Sequence, residues 1–260
     1  MNAKVSDLAV IVPVYNESAR VHETLRQLHA QRDDDFDAYF VDNSSTDGSG
    51  DIIRAFAAEH GRERWHVIHE PVKGTGAAAD TGMRAAIAAG HTLLARTDAD
   101  CIPRLDWTSN IRKALTPKSA GGDGLDFLGG LLVSRRDEGE PLWRRKLMES
   151  AVTLAVVFGK LRASNRGSQY LGGYIMAPGC NLAIRAETYT AAGGFPRTKI
   201  EDLHEDRALV NAVREITSHY AERRDIVVAG SSRRVQAWGL KNTLLWYKDH
   251  AYRPDHVDIR

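Results

Sequence analysis

The chain has 260 residues, of which 43% are hydrophobic and 27% charged, as is typical of a folded globular protein with a full core. It carries 35 Lys and Arg against 34 Asp and Glu, and this near-neutral balance argues against a nucleic-acid-binding protein, which usually has a basic footprint. With only two cysteines, no secretory signal and no apolar run of about 20 residues, the sequence predicts a cytoplasmic protein.

The first hundred residues alternate between predicted strands and predicted helices. Apolar runs at residues 8–14, 36–41, 65–69 and from residue 93 are typical of strands, and the first is typical of a strand buried on both faces. Helices are predicted from residue 21, over residues 51–60 and from residue 73 to Gly90. This alternation predicts an α/β fold with a parallel, doubly wound sheet.

Polar segments follow each of these strands, at residues 15–18, 42–48, 70–76 and 98–100. Since the carboxyl ends of parallel strands meet at one edge of a sheet, we expect a ligand there. Asp98 and Asp100 would point the same way in an extended chain, and two such carboxylates suit Mg²⁺ or Mn²⁺. A surface turn is the alternative. The glycine segment, residues 73–76, lacks the spacing of known phosphate-binding loops, and close packing of a helix start is an equal alternative.

Beyond residue 103 the pattern changes. Helices are predicted over residues 105–115 and 186–192, and strands over residues 127–133, 182–184 and 226–229. Residues 164–173 are polar and glycine-rich, which predicts a mobile loop and a candidate lid. Without a clear linker, we predict one domain with two halves, residues 1–103 and 104–260.

A helix predicted over residues 141–161 contains an apolar stretch with basic residues on both sides. The commoner explanation is a core helix with a solvated basic rim. The alternative is an amphipathic helix, residues 141–166, that contacts the inner face of an anionic membrane.

A second acidic cluster contains two pairs of acids four residues apart at the start of a predicted helix, namely Glu201, Asp202, Glu205 and Asp206. Acidic residues at this position often do no more than complement the helix dipole. Alternatively, carboxylates close to one another raise each other's pKa, which suits a general base that removes a proton from a hydroxyl group.

Taken together, these stretches resemble the family 2 glycosyltransferases, which have the GT-A fold. The resemblance covers most of the chain and rests on Val12-Pro13-Val14-Tyr15-Asn16-Glu17, Val41-Asp42-Asn43-Ser44-Ser45-Thr46-Asp47-Gly48-Ser49, Lys73-Gly74-Thr75-Gly76-Ala77-Ala78, Asp98-Ala99-Asp100, Gly193-Gly194-Phe195 and Glu205-Asp206. It implies a Rossmann-like, mostly parallel sheet flanked by helices, with a nucleotide-sugar half before residue 104 and an acceptor half with a helical tail after it.

The resemblance also implies an inverting, metal-dependent transfer of one sugar from a nucleotide-diphospho-sugar, with UDP expected, to a hydroxyl-bearing acceptor. That acceptor would be a sugar, a lipid-linked molecule or a small molecule, as in cell-envelope or polysaccharide synthesis. The donor would be bound by Pro13, Tyr15, Glu17, Asp42, Lys73, Asp98 and Arg234, with Mn²⁺ or Mg²⁺ at Asp98 and Asp100. Arg233, Arg234 and Trp238 suit closure over the diphosphate, and a solvent-facing basic tail is the alternative.

The resemblance assigns the base to Asp206, with Glu205 beside it, and Asp202 is the competing residue. The Gln-x-x-Arg-Trp signature of processive synthases is missing. Two other classes stay open: a retaining glycosyltransferase or nucleotidyltransferase on a related fold, and a non-catalytic nucleotide- or sugar-binding protein. The first loop, residues 15–18, lacks the glycine and arginine that nucleotidyltransferases generally carry there.

Overall fold

The structure is a computed structural model that describes residues 6–139, 141, 143, 165–197, 205–233, 236–239 and 242–243. Its strands are β1 (Leu8–Val14), β2 (Asp37–Asp42), β3 (Trp65–His69), β4 (Leu93–Thr97), β5 (Ile102–Pro103), β6 (Phe127–Ser134), β7 (Asn181–Arg185) and β8 (Tyr220–Gly230). Its α-helices are α1 (Val21–His29), α2 (Ser49–Glu59), α3 (Thr75–Ala88), α4 (Trp107–Leu115), α5 (Ala186–Ala191) and α6 (Glu205–Ile216).

All of these strands form one sheet in the order β3-β2-β1-β4-β7-β6-β8-β5. Neighbours among β3, β2, β1 and β4 are parallel, so their carboxyl ends lie at one edge, as predicted. β7 runs antiparallel to β4 and β6, whereas β8 runs parallel to β6. The short β5 follows the Asp-x-Asp segment and pairs antiparallel with β8. This pairing brings the end of β8 close to the end of β4.

The sheet lies between two helical layers, because alternate residues of a strand face opposite sides. In β1, Leu8 and Val10 pack with α1, α2 and α4, whereas Ala9 and Ile11 pack with α3, α5 and α6. Every residue of β1 is buried, which confirms the predicted strand with two buried faces. The carboxyl edge of the parallel strands is therefore the part of the sheet at which loops can form a site.

Small residues bring α3 close to its neighbours. A Cβ atom at Gly82 would lie 2.6 Å from Ile11 Cγ2, and one at Gly76 would lie 2.4 Å from the carbonyl oxygen of Pro196. Such distances leave no room for a side chain. The close-packing interpretation of the glycine segment is thus correct for Gly76, which places the start of α3 against Pro196.

Most predicted elements are present within two residues of their expected bounds, and β8 is the main difference. It begins at Tyr220, six residues before the predicted strand, and its first half is rich in charged residues. These residues pair with β6 up to a register shift after Gly130, and Arg223 forms ion pairs with Asp123 and Asp225. Pairing and charge neutralisation, rather than an apolar pattern, hold this segment in the sheet.

The predicted basic-flanked helix lies outside the described residues except at positions 141 and 143. Residues 166–173 of the candidate lid contain no helix or strand, in agreement with the predicted loop. Within the described part of the chain, no helix combines the length and the apolar character that crossing a membrane requires.

Candidate active site

The loops that follow β1 and β2 are braced by hydrogen bonds. The N–H of Glu17 donates to Ser49 Oγ at 2.8 Å, and the N–H of Ser18 donates to Asp47 Oδ2 at 2.8 Å. Although burial opposes the effect, hydrogen bonds from Ser49 and Ser18 lower the pKa of Asp47 to about 2. Much of the segment after β2 therefore serves to hold the loop after β1 in place.

Two residues of these loops have left-handed backbone conformations. Asn16 has a φ of 53° and Ser44 a φ of 66°, and no other non-glycine residue in the described ranges has a positive φ. Asn16 Oδ1 accepts a hydrogen bond from the N–H of Thr46 at 2.9 Å, which ties the two loops together. Backbone strain of this kind tends to occur at functional sites, so its location supports a ligand site at this edge.

Asn43 shapes the loop that carries Lys73. Its side-chain amide donates to two carbonyls of this loop at 2.8 Å each and accepts from the N–H of Gly74 at 2.8 Å. Lys73 Nζ then lies 4.9 Å from the centre of the Tyr15 ring, within the range of a cation–π contact. Two predicted donor-binding residues, Tyr15 and Lys73, are thereby brought together.

Pro13 and Asp42, also predicted to bind the donor, lie within β1 and at the end of β2. Pro13 is buried within β1. Asp42 ends β2, where its Oδ1 accepts the N–H of Ser45 at 2.9 Å. A Cβ atom at Gly50, in α2, would lie 3.1 Å from Asp42 Oδ2. One carboxylate oxygen of Asp42 thus stabilises the loop after β2. The contact of Asp42 with a nucleotide base stays a prediction.

The Asp-x-Asp segment forms a turn rather than an extended chain. The N–H of Cys101 donates to the carbonyl of Asp98 at 3.1 Å, immediately after β4 ends. The expectation that strand alternation aligns the two carboxylates is therefore wrong. Each has its own cation: Asp98 Oδ1 lies 3.4 Å from Arg96 Nη2, and Asp100 Oδ2 lies 2.8 Å from Arg233 Nη2.

Arg96 is a buried cation among the acidic residues, and the sequence patterns predicted no role for it. Its side chain is 1% exposed, and Nη2 lies 3.5 Å from Glu205 Oε1 as well as near Asp98. Its Nε and Nη1 are buried without a hydrogen-bond partner in the described part of the chain. Although burial opposes it, Asp98, Glu205 and Asp206 raise the pKa of Arg96, so the guanidinium stays charged. The sequence feature that could have identified Arg96 is the presence of an arginine within an otherwise apolar predicted strand.

The turn Gly193-Gly194-Phe195 supports this arginine. The guanidinium carbon of Arg96 lies 5.1 Å from the centre of the Phe195 ring. The N–H of Phe195 donates to the hydroxyl of Tyr189, which in turn donates to the buried Asp80, both at 2.9 Å. Burial raises the pKa of Tyr189, which keeps the hydroxyl protonated as this bond requires. The aromatic ring is thus fixed against the charged cluster.

Asp206 lies in the first turn of α6 beside Glu205, where the sequence predicted an acid pair. Its Oδ1 accepts the N–H of Arg207 at 2.7 Å. Burial raises the pKa of Asp206, although this N–H and the guanidinium of Arg96 act in the opposite direction. Folding thereby gathers Asp98, Glu205 and Asp206 around one arginine.

Several predicted residues are not part of this description. Arg234 and the Glu201-Asp202 pair lie outside the described residues, so their roles stay predictions.

The comparison with known families decides the classification of the chain. The sequence profile of Glycosyl transferase family 2 matches residues 9–185, more than half of the chain. The chain belongs to glycosyl transferase family 2. The match confirms the predicted family and spans the loops after β1, β2 and β3, the Asp-x-Asp turn and Arg96. Glycosyltransferase AglE of Haloferax volcanii is 30% identical over 132 residues, which are 50% of this family 2 chain and 40% of AglE.

Solved structures share the fold of this family 2 chain. The mannosyltransferase PcManGT from Pyrobaculum calidifontis, in complex with GDP-Man and Mn²⁺, has a TM-score of 0.63 and 21% identity, covering 91% of this chain and 60% of that one. S. aureus TarS 1–349, in complex with UDP-GlcNAc, has a TM-score of 0.59 and 16% identity, covering 87% and 58%. These likenesses confirm the GT-A fold. The chain spans less than two thirds of the length of each of these three proteins.

The Asp-x-Asp turn fits a divalent cation as a site shared with a substrate. Within the described ranges, no group of three or more His, Cys, Asp or Glu side chains is arranged to hold a metal. Mg²⁺, however, is commonly held by one or two carboxylates together with substrate phosphates and waters. The Asp98 side chain is 33% exposed and that of Asp100 is 12% exposed, so Asp98 is the more accessible of the two carboxylates.

Proposed function

We propose that this chain is an inverting glycosyltransferase that moves one sugar from a nucleotide-diphospho-sugar to an acceptor hydroxyl group, assisted by Mn²⁺ or Mg²⁺. The proposal rests on the cluster of Asp98, Glu205 and Asp206 around Arg96. This cluster lies at the edge where the loops after β1, β2 and β3 meet. The UDP-GlcNAc in TarS and the GDP-Man and Mn²⁺ in PcManGT support a nucleotide-sugar donor and a divalent ion.

In this proposal, the nucleotide lies along the ends of β1 and β2. Tyr15 and Glu17 flank the base and ribose, Asp42 hydrogen-bonds the base, and Lys73 adds positive charge near Tyr15. UDP is the expected nucleotide. The acceptor, a sugar, lipid-linked molecule or small molecule with a free hydroxyl, approaches from the side of α6, where Asp206 lies.

The proposed transfer moves one proton and exchanges one bond. The acceptor oxygen bonds to the anomeric carbon from the face opposite the diphosphate, and the bond from that carbon to the diphosphate oxygen breaks. Asp206 accepts the hydroxyl proton, and the departing diphosphate keeps the bonding electrons. A divalent ion at Asp98 and Asp100 would supply neutralising charge for the diphosphate. Arg96 holds the surrounding carboxylates in place.

The donor site can be tested by thermal unfolding with UDP, GDP, CDP and TDP, each with and without Mn²⁺. A nucleotide at about a hundred times its dissociation constant stabilises the folded state by about 2.7 kcal/mol. We expect one nucleotide, UDP, to raise Tm only with Mn²⁺, because the ion links the diphosphate to the Asp-x-Asp turn.

Two variants control this measurement. Asp98→Ala is expected to abolish the Mn²⁺-dependent shift, whereas Asp225→Ala, which alters an exposed acid at a distance from the edge, is expected to keep it. A shift of equal size without Mn²⁺ would contradict the metal requirement. No shift with any of the four nucleotides would contradict the donor assignment.

The acidic limb of the pH–rate profile reports the proposed base. Asp206 must be ionised to accept a proton, and burial raises its pKa above the ordinary carboxyl value of about 4. We therefore expect kcat/KM to fall as the pH decreases through a midpoint above that value. Initial rates between pH 4 and 9 at subsaturating acceptor check this expectation, and a midpoint at or below the ordinary value would contradict it.

A further inference from the structure

Arg233 connects two loops at the carboxyl edge of the parallel strands. One of its nitrogens, Nη2, lies 2.6 Å from Glu17 Oε1 and 2.8 Å from Asp100 Oδ2. These contacts join the chain after β8 to the loops after β1 and β4. They are possible because Ile102 of β5 pairs with Ala229 of β8, only a few residues from Asp100 and Arg233.

Residues 231–233, which include Arg233, are fixed by a separate set of hydrogen bonds. We name this segment the clasp. Glu138 accepts hydrogen bonds from Ser231 Oγ at 2.6 Å, from the N–H of Ser232 at 2.6 Å and from Ser232 Oγ at 2.5 Å. The buried Arg135 lies 3.7 Å from Glu138 and donates to the carbonyl of Asp100 at 3.0 Å. The clasp is therefore anchored beside the Asp-x-Asp turn even without the Arg233 side chain.

The Arg233 guanidinium can donate a further hydrogen bond. Its side chain is 17% exposed, and Nη1 is buried without a hydrogen-bond partner among the described residues. Although burial opposes it, Asp100 and Glu17 raise the pKa of Arg233, so it stays charged. A buried N–H without an acceptor is unfavourable, and phosphate oxygens match the planar donor fork of a guanidinium well.

A divalent ion and this guanidinium compete for Asp100. Both are cations, and placing them on the same carboxylate sets like charges a few ångströms apart in a largely buried site, where repulsion is poorly screened. We therefore expect an ion that binds Asp100 to weaken the contact of this carboxylate with Arg233. The diphosphate that accompanies the ion offers the displaced guanidinium a new anionic partner.

We propose that Arg233 is an exchangeable counterion: it pairs with both Asp100 and Glu17 in the ligand-free protein, leaves Asp100 when a divalent ion binds, and then donates to the donor diphosphate. The inference rests on the proposed nucleotide-sugar function and adds a competition that the function alone does not require. Its consequence is that Arg233 has opposite effects on the two ligands: it weakens the binding of the ion alone and strengthens the binding of the nucleotide with the ion.

The Arg233→Gln variant separates these two effects. We expect Mn²⁺ alone to bind about fivefold or more tightly in this variant, because the competing cation is gone. We expect UDP in the presence of Mn²⁺ to bind about tenfold or more weakly, because a charge-assisted hydrogen bond to the diphosphate is lost. Free Mn²⁺ is measured by its electron paramagnetic resonance signal, and UDP and GDP by titration calorimetry at saturating Mn²⁺.

Two further variants are matched controls. Arg136→Gln removes an arginine that is exposed and lies near the clasp, and it is expected to leave both affinities unchanged. Arg233→Lys keeps a positive charge, so Mn²⁺ alone should bind about as weakly as in the wild type, although the planar donor fork is lost. Thermal unfolding of each variant verifies that it is folded. If the glutamine variant is not, the lysine variant still tests the diphosphate contact, because loss of the fork should weaken UDP binding in the presence of Mn²⁺.

The outcomes distinguish this inference from the proposed function. Unchanged or weaker Mn²⁺ binding in Arg233→Gln would overturn the exchange. Tighter Mn²⁺ binding with unchanged nucleotide binding would overturn the transfer of Arg233 to the diphosphate. If the wild type bound neither UDP nor GDP with Mn²⁺, the proposed function would fail, and the Mn²⁺ titration of the two proteins would still decide whether Arg233 competes for Asp100.

Discussion

Replacing Asp206 with asparagine is expected to lower kcat by about 100- to 10,000-fold, the range that general acid–base groups contribute. Asparagine keeps the shape of the side chain and an oxygen for the N–H of Arg207, but it has no basicity with which to accept the hydroxyl proton. Because the loss affects the transition state, the affinity for the nucleotide donor should change little. Steady-state rates of nucleoside diphosphate release, with and without acceptor, measure this effect.

The comparison variants for Asp206 lie on the same helix and in the competing acid pair. Glu215→Gln alters an exposed acid near the other end of α6 and is expected to keep wild-type kcat. Asp202→Asn tests the other candidate base. A large loss of kcat in Asp202→Asn together with an almost unchanged Asp206→Asn would show that the base is Asp202.

The Arg96→Met variant is expected to show the largest loss of stability, about 3–5 kcal/mol in the free energy of unfolding, as is found when one partner of a buried ion pair is removed. Arg96 is the buried cation that lies within ion-pair distance of both Asp98 and Glu205. Methionine fills part of the volume against Phe195, so the loss reports mainly on charge. Urea unfolding at neutral pH measures the change.

An exposed pair provides the control for Arg96→Met. Arg54 and Asp51 are 2.8 Å apart, but their side chains are 58% and 86% exposed. Arg54→Met should therefore cost no more than about 0.5 kcal/mol, since solvent screens exposed pairs on helices. The difference between the two variants isolates the contribution of burial. A loss below about 1 kcal/mol in Arg96→Met would mean that the acidic side chains relax into solvent when the arginine is absent.

Local sequence patterns were sufficient for the framework of the site. The apolar runs and helical spacing predicted β1 to β4 and α1 to α3 within two residues, because each of these elements buries a continuous or periodic apolar face. The order of strands and helices then placed the loops after the parallel strands at one edge, as parallel pairing of β1 with β2 and β4 requires. The positions of Tyr15, Lys73 and Asp98 at that edge follow from this framework.

Contacts between distant parts of the chain were decided only by the tertiary structure. Arg96 and Glu205 are 109 residues apart, and Arg233 and Glu17 are 216 apart, so no periodicity links them. The turn at Asp98 likewise replaced the extended chain that local alternation favoured. By itself, the sequence determined which strands are buried and which residue types follow them, because hydrophobic burial acts on short segments. Which cation meets which carboxylate depended on the packing of β5, β8 and α6, since ion pairing requires proximity in space rather than along the chain.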